Sequence, residues 1–418
     1  MRRLGVVVLL CALLSGTGCQ PDSSPRPPGT GPLIVVSAPL ASQPWIGRSV
    51  VRGAQLAIAQ LAIAQLASGQ AAASGQQAAG PVPPPRLEIL DNNASPSTAV
   101  ANARSAVSKH AAALITDGTG ALAVSRVTDA ASLPVFVVFH GGGSFVDPQA
   151  HPTIFRLAPA NRFMSRRLAD YLAARRASSI ALISDDSSYG RDGARQLGAD
   201  LARNDLEVVK RIVLPAAAGD VSAQVLSARR AGARALVLWA GAPDIAQVIR
   251  AARSAGWRVP VFLSPTGEDP LVRQQLADHP GWLDGATFVS FRITSEQGPA
   301  PFERFRAAYQ QRYGVDRVGV SAAGRPVLQP PDWAMFSYDS VLLVSAALTI
   351  TAGATGAPLL AAVEGASVTG ANGDQRGFGP DDREGVSSSD MYFGRFSAMR
   401  FAAVTDDALS TQLPEVAQ

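Results

Sequence analysis

Two glycine-rich turns carry the residues of this chain that are best suited to hold a small molecule. Asp117-Gly-Thr-Gly120 follows the apolar run Ala113–Thr116, and His140-Gly-Gly-Gly143 follows the apolar run 135–139. Backbone N–H groups at the start of a helix attract a carboxylate or a carbonyl oxygen, and glycines let a backbone approach a ligand closely. The two turns therefore predict a binding site, although the first could also be a simple helix cap.

The segment 135–143 also resembles the oxyanion-hole strand of lipase-type α/β-hydrolases. That alternative requires a later Gly-x-Ser-x-Gly turn, but the turns around Ser321 and Ser387 both lack the second glycine. Only His151 and His279 follow His140, and neither comes after a candidate nucleophile. Histidines and cysteines are also too few and too dispersed for a metal site. The residues therefore predict a binding protein that is not an enzyme and uses no cofactor or metal.

Short apolar runs bounded by turn residues alternate with helical patterns along the chain. Such runs are typical of strands buried on both faces, and the intervening helices predict parallel sheets with right-handed crossovers, an α/β fold. The main helical patterns are 48–67, 99–109 and 244–255, with a loop at 38–47 and another at 67–85. The predicted strands are 33–37, 87–90, 113–116, 135–139, 180–184, 235–239 and 261–263.

The N-terminal nineteen residues have the order of a secretion signal. Arg2 and Arg3 precede the apolar run 4–14, which is too short to span a bilayer, and small residues then lead to Cys19. This arrangement resembles the lipobox of bacterial lipoproteins, whose cysteine is acylated, although Gly16 replaces the usual leucine. An ordinary signal peptide is the alternative. Both place the mature chain outside the cytoplasm.

Composition limits which partners the mature protein can bind and which interactions can stabilise its fold. Its two cysteines, Cys11 and Cys19, lie in the leader, so the exported body folds without a disulfide and depends on its apolar core. The net charge of +4 is carried by scattered basic residues, which argues against nucleic acid. Residues 20–32 predict a flexible tether, and the roughly 385 residues that follow suffice for two domains. No other apolar run reaches the roughly 20 residues needed to cross a membrane.

Five motifs, in order, resemble those of type I periplasmic binding proteins, in particular the branched-chain amino-acid receptors that serve ABC importers. The resemblance covers nearly the whole mature chain. The motifs are Pro39–Gly47 with Arg52–Ile58, Asp91–Pro96 with 99–103, the D-x-x-Y-G turn in 184–190, the segment 305–314, and Tyr338-Asp339 opening a long apolar helix.

The resemblance implies two Rossmann-like lobes with parallel sheets, joined by a three-strand hinge, with the ligand held between them. The implied lobes are 33–157 plus 292–380 (lobe 1) and 158–291 plus 381–418 (lobe 2). The implied crossings lie near 155–160, 287–294 and 378–391.

The resemblance also implies side chains that touch the ligand. Thr119 and Ser144 match positions where the family has hydroxyl groups, and Trp45 matches an aromatic residue that packs on the ligand. Trp45 could instead anchor its loop, Tyr189 could face the cleft or brace its turn, and His140 fits a structural role in its loop.

The family's acidic residue, which pairs with a ligand ammonium, has no direct counterpart. Thr266 stands at that position and Glu268 follows two residues later, while Ala242 replaces a frequent aromatic residue. Because a buried ammonium needs a partner, an amino-acid ligand requires Glu268 or Asp269 to turn inward. The expected ligand contacts are Trp45, Thr119, Gly120, Gly142, Ser144, Tyr189 and Glu268.

Together these features predict a monomeric receptor, lipid-anchored at Cys19 on the outer face of the cytoplasmic membrane. It would capture a small polar ligand, an amino acid or an amide-like molecule, and deliver it to an ABC permease by cleft closure. A ligand sensor with the same fold that reports to a signalling partner is the alternative, because both use closure.

Overall fold

The structure, a computed structural model, describes residues 31–72, 82–143, 145–215, 219–291, 293, 298–320, 324, 326–397 and 399–404. The predicted leader with Cys11 and Cys19, most of the predicted tether 20–32, Ser144 and Ser321 lie outside this described part. Within it, the predicted α/β fold class is confirmed.

A five-stranded parallel sheet forms the first half of the described chain. Its strands are β1 Leu33–Ala38, β2 Arg86–Asp91, β3 Ala113–Thr116, β4 Val135–Val137 and β5 Ile154–Arg156. They pair in parallel in the order β2-β1-β3-β4-β5. All but β2 are buried along their whole length, as the apolar runs of β1, β3 and β4 predict; β5 was not among the predicted strands. The prediction that 87–90 is buried on both faces is wrong, because β2 is an edge strand and only half-buried.

Three helices connect these strands. They are α1 Pro44–Ala72, α2 Pro96–Ser108 and α3 Ala121–Thr128. α1 is longer than predicted at both ends, so Trp45 lies in its first turn rather than in a loop, and residues 67–72 are helical. The repeated Leu, Ala, Ile and Gln of this segment are good helix formers, which accounts for the C-terminal extension. α2 begins at Pro96 behind the cap Ser95, whose hydroxyl accepts from Thr98 N–H.

A second sheet is built mainly from later strands. Its parallel part comprises β6 Ile180–Asp185, β7 Val208–Leu214, β8 Ala235–Trp239, β9 Val261–Leu263 and β10 Thr287–Phe291. The accompanying helices are α4 Asn161–Ala174, α5 Ser188–Arg203, α6 Ser222–Arg230, α7 Ala242–Ser254 and α8 Pro270–Gln275.

The rest of the described chain returns to the first sheet and then completes the second. Its elements are α9 Ala300–Tyr313, the hairpin β11 Arg317–Val320 and β12 Pro326–Leu328, α10 Ala334–Ile350, α11 Ala357–Gly365, and the hairpin β13 Ser367–Thr369 and β14 Gln375–Gly377. The last strands, β15 Met391–Ser397 and β16 Arg400–Val404, are antiparallel additions to the second sheet, whose order is β16-β15-β10-β9-β8-β6-β7.

α1 packs along α10 at very short range. A Cβ on Gly53 would lie 2.1 Å from the carbonyl oxygen of Ala334, so only glycine permits this approach. The segment Pro44–Leu66 of α1 is long and apolar enough to cross a membrane by length and composition, with a mean hydropathy of 1.2. This segment was not predicted from the sequence, because Arg48, Arg52 and three glutamines interrupt its apolar residues. In the fold this helix covers the first sheet together with α10.

The chain passes between the two sheets three times: after β5, between β10 and α9, and before β15. The first and third passages touch, since Arg156 N–H donates to Arg383 O (2.9 Å) and Gly385 N–H donates to Arg156 O (2.7 Å). One apolar cluster includes residues of both sheets, and separate clusters cover the outer face of each sheet.

Candidate functional site

The two glycine-rich turns lie side by side at the carboxyl edge of the first sheet. They follow the paired strands β3 and β4. Gly118, with φ of +109°, packs so closely that a Cβ there would lie 2.4 Å from the Cβ of His140. Ligands of open parallel sheets lie at this edge, so the predicted site is assembled in one place.

The first turn is organised around the buried carboxylate of Asp117. Its Oδ1 accepts from Asn92 Nδ2 (2.6 Å), and its Oδ2 accepts from Thr119 Oγ1 (2.5 Å) and Thr119 N–H (3.3 Å). Burial raises the pKa of Asp117 above its usual range. The expectation that this turn offers its N–H groups to a ligand carboxylate is therefore only partly met, because Thr119 N–H is already bound. The hydroxyl hydrogen of Thr119 is donated to Asp117, and Gly120, in the left-handed conformation, is the cap residue before α3.

The second turn is fixed by His140 and Arg156. Gly142 N–H donates to His140 Nδ1 (2.9 Å), and the Arg156 guanidinium donates to the carbonyl oxygen of Gly142. Burial, with a smaller contribution from the Arg156 charge, lowers the pKa of His140 to about 4. His140 is therefore neutral at neutral pH and has the structural role expected of it. Ser144, expected next to it, lies outside the described residues.

Replacement of His140 by glutamine should change how stability depends on pH. The folded pKa of about 4 lies below the ordinary 6.5, so the stability contributed by the neutral ring is complete above pH 6.5 and is lost as the pH falls toward 4. We expect wild type to lose roughly 2–3 kcal/mol more than His140→Gln between pH 7 and pH 4. Urea unfolding at several pH values measures this, with His279→Gln, at a half-exposed side chain, as the control. Parallel profiles for wild type and His140→Gln would contradict it.

Aromatic rings form one wall next to these turns. Phe139 lies directly before His140, and its ring stacks on that of Trp333 with centroids 4.4 Å apart. Trp45 meets both rings edge to face, at 5.5 Å from Phe139 and 6.4 Å from Trp333. Trp45 thus stands in the expected region, while Phe139 and Trp333 were not predicted. Phe139 could have been found, since it ends the apolar run 135–139 just before the glycine-rich turn.

Glu268 is not placed as the amino-acid hypothesis requires. It is 2% exposed, its Oε1 accepts from Ser290 Oγ (2.7 Å), and its Oε2 accepts from Trp333 Nε1. Burial and the nearby Asp332 charge raise the pKa of Glu268 well above its ordinary value. Both carboxyl oxygens are therefore bound by the protein. Glu268 joins the second sheet to Trp333, which precedes α10 beside the first sheet.

The remaining second-sheet residues form a polar pair. Thr266 Oγ1 donates to Tyr189 Oη (3.0 Å), and burial raises the pKa of Tyr189 to about 12. Tyr189 lies in the first turn of α5 behind the cap Ser187, whose hydroxyl accepts from Gly190 N–H (3.0 Å). Ala242 begins α7 and is buried.

Contacts join the turn after β4 to the helices of the second sheet. Asn161 N–H at the start of α4 donates to Gly141 O (2.7 Å), and a Cβ on Gly143 would lie 3.9 Å from Gln196 Nε2 on α5. Arg156 donates from Nε to Glu384 (2.7 Å), which also pairs with Arg162 of α4 at 2.8 Å. Sequence reasoning missed this cluster, because an ion pair between residues so far apart in the chain leaves no local pattern. Among the residues that the structure describes, no group of three or more His, Cys, Asp or Glu could hold a metal ion.

The fold brings two glycine-rich turns and a group of aromatic rings together at the carboxyl edge of a parallel sheet. The family model described as "Periplasmic binding protein" matches residues 32–400. The chain belongs to this family, and the resemblance inferred from its motifs is confirmed at that level. No curated protein matches the chain.

Solved structures with the same fold cover most of the chain. A type 1 periplasmic binding protein from Bordetella pertussis Tohama I is 19% identical, with a TM-score of 0.74 over 90% of this chain and 99% of that one. An ABC transporter substrate-binding protein from Desulfitobacterium hafniense, in complex with Leu, is 18% identical, with a TM-score of 0.68 over 90% and 100%. A solute binding protein from Rhodopseudomonas palustris BisB5, in complex with 3,4-dihydroxy benzoic acid, is 19% identical, with a TM-score of 0.68 over 87% and 93%.

Proposed function

We propose that this chain is an extracytoplasmic receptor that captures a small solute between two lobes and delivers it to an ABC importer by cleft closure. The observation that carries this proposal is the meeting of the β3 and β4 turns, the second of which is hydrogen-bonded to the start of α4 beside the second sheet. The lobes would be 33–157 plus 292–380 and 158–291 plus 381–418, and Cys19 would carry the lipid anchor. The receptor acts as a monomer and performs no chemistry on its ligand.

The ligand that the site favours has no ammonium group. Glu268, the acidic residue nearest the expected position, already accepts from Trp333 and Ser290. A ligand ammonium would have to displace these donors or remain unpaired in a buried place, which is costly. The rings of Trp45 and Phe139 offer apolar contact, while the Thr119 hydroxyl, whose hydrogen is donated to Asp117, can still accept a hydrogen bond. We therefore propose a small, neutral ligand with a planar apolar part and a hydrogen-bond donor, and we expect Tyr189 to close over it. We expect Gly142 to contact this ligand through its backbone.

A thermal-shift screen tests the ligand class. Because a ligand that binds only the folded state raises the melting temperature, we expect neutral aromatic amides to raise it and leucine to leave it unchanged. The ligand found should bind Thr119→Val about tenfold or more weakly, the cost of a lost hydrogen bond in a buried site. Thr349→Val, at an exposed helix position, is the matched control. A shift with leucine, or an unaffected Thr119→Val, would contradict the proposal.

A further inference from the structure

The helices α1 and α10 end together at the amino edge of the first sheet. α1 follows β1 and runs back toward the amino ends of the strands. Gly53 of α1 packs at Ala334, and further along Gln60 of α1 accepts from Tyr338 Oη of α10. Trp45 in the first turn of α1 and Trp333 just before α10 are in ring contact, with centroids 6.4 Å apart. Both helices therefore begin near the candidate site and run toward the opposite edge of the sheet.

This edge exposes large apolar side chains. Ile63, Leu66 and Ile350 are 66%, 70% and 64% exposed, and they are the three most exposed large apolar residues in the part of the chain that the structure describes. We call them the amino-edge patch. The sequence around them has no charged residue from 53 to 85 and none from 340 to 363. An uncharged, apolar end of a helix pair in contact with water is unfavourable unless something covers it.

The chain enters the fold at the same edge. β1 begins at Leu33, and Arg86 N–H, at the start of β2, donates to Pro32 O (2.9 Å). Eleven residues separate Gly31 from Cys19, and a chain of that length spans at most about 40 Å even when fully extended. A lipid on Cys19 would therefore hold the amino edge, where the chain enters the fold, within about 40 Å of the membrane.

We propose that, in the ligand-free receptor, the amino-edge patch lies against the outer surface of the lipid membrane. The proposal rests on the lipid anchor of the proposed function but not on its ligand. Apolar side chains of exposed helices insert at the boundary between headgroups and acyl chains, and the absence of charge on this end removes the cost of bringing charges there. α2, on the other face of the sheet, is followed at this edge by the exposed residues Lys109 and His110, so the α1–α10 face is the one that turns to lipid. The site then faces away from the membrane.

Photocrosslinking to lipid tests this placement. The full mature protein is anchored to phosphatidylethanolamine–phosphatidylglycerol vesicles that contain a photoactivatable phospholipid, and the labelled peptides are mapped by mass spectrometry. If Cys19 carries no acyl chain, its thiol is coupled to a maleimide phospholipid, which gives the same tether. We expect label on the peptides that contain Ile63, Leu66 and Ile350, at least fivefold above the peptides that contain Val213 and Leu328, which are also exposed.

Charge-free variants provide the matched control. The double variant Ile63→Gln/Leu66→Gln should lower the lipid label at Ile350 at least threefold. It should leave the thermal shift produced by an aromatic amide unchanged. Val213→Gln should alter neither the lipid label nor the thermal shift. Equal label at Val213, no lipid label on either helix, or label that persists in the double variant would overturn the proposal. So would a solution dimer whose interface covers the patch, or crosslinking of the patch to a permease rather than to lipid. Loss of ligand binding with the lipid label retained would instead count against the proposed function.

Discussion

Replacement of Arg156 by methionine is expected to lower the free energy of unfolding by about 3–5 kcal/mol, because it leaves a buried carboxylate without its main partner. Arg156 is fully buried, and the Glu384 side chain is 5% exposed. The guanidinium also holds the carbonyl oxygen of Gly142 in the ligand turn, so we expect ligand affinity to fall as well. Denaturant unfolding and ligand titration measure the two effects.

An exposed ion pair supplies the comparison for Arg156. Arg306 and Glu303 pair on the surface of α9 with side chains 40% and 48% exposed, and Arg306→Met should change stability by less than about 0.5 kcal/mol. Arg156→Lys keeps the charge but cannot reach Glu384 and Gly142 together, so it should recover stability only in part. If Arg156→Met costs no more than Arg306→Met, the buried cluster does not stabilise the fold as we infer.

Replacement of Trp333 by alanine is the second change with a large expected effect, a loss of about 3–5 kcal/mol of stability. The ring is 5% exposed and contacts the rings of Trp45, Phe139 and Phe291. Its indole N–H also donates to Glu268 across the two sheets. The alanine variant therefore loses both the packing and the hydrogen bond, which thermal and denaturant unfolding should detect.

Trp333→Phe separates these two contributions. Phenylalanine keeps most of the ring contacts but leaves Glu268 one donor short, which should cost about 1–3 kcal/mol. With one oxygen of Glu268 released, we also expect this variant to gain weak binding of ligands that carry an ammonium. Equal losses for Trp333→Ala and Trp333→Phe would mean that the hydrogen bond, and not the packing, dominates. If neither variant loses stability, Trp333 does not stabilise the contact between the two sheets.

Strands that are buried on both faces could be predicted from the sequence, whereas strands that are partly exposed could not. β3, β8 and β9 were predicted to the residue, because strands buried on both faces appear as unbroken apolar runs. β7 was missed, since it is an edge strand with Lys210 and Arg211 among its residues. The duplicated Leu-Ala-Ile-Ala-Gln of α1 cannot keep one apolar face over many turns. The helix nevertheless continues through the repeat, because most of its residues have a high helix propensity. As a result, Ile63 and Leu66 are exposed.

The candidate site could be predicted only in part. The turns at 117–120 and 140–143 follow neighbouring strands, and the α/β pattern places such turns at one edge. The partners of Glu268 could not be foreseen, because Trp333 reaches it from a helix 65 positions away in the chain. Asp117 was taken only as part of a glycine turn, although it organises that turn through Asn92 and Thr119. The contacts of Trp45, Gly120 and Tyr189 with a ligand stay predictions.

The pairing of Arg156 with the segment 383–385 has a mechanical consequence. Two of the three passages between the sheets, at Arg156 and at 383–385, are hydrogen-bonded to each other. Bending at one of these segments is therefore coupled to bending at the other. We expect the two segments to move together when the sheets open and close, and their motion to show a single relaxation.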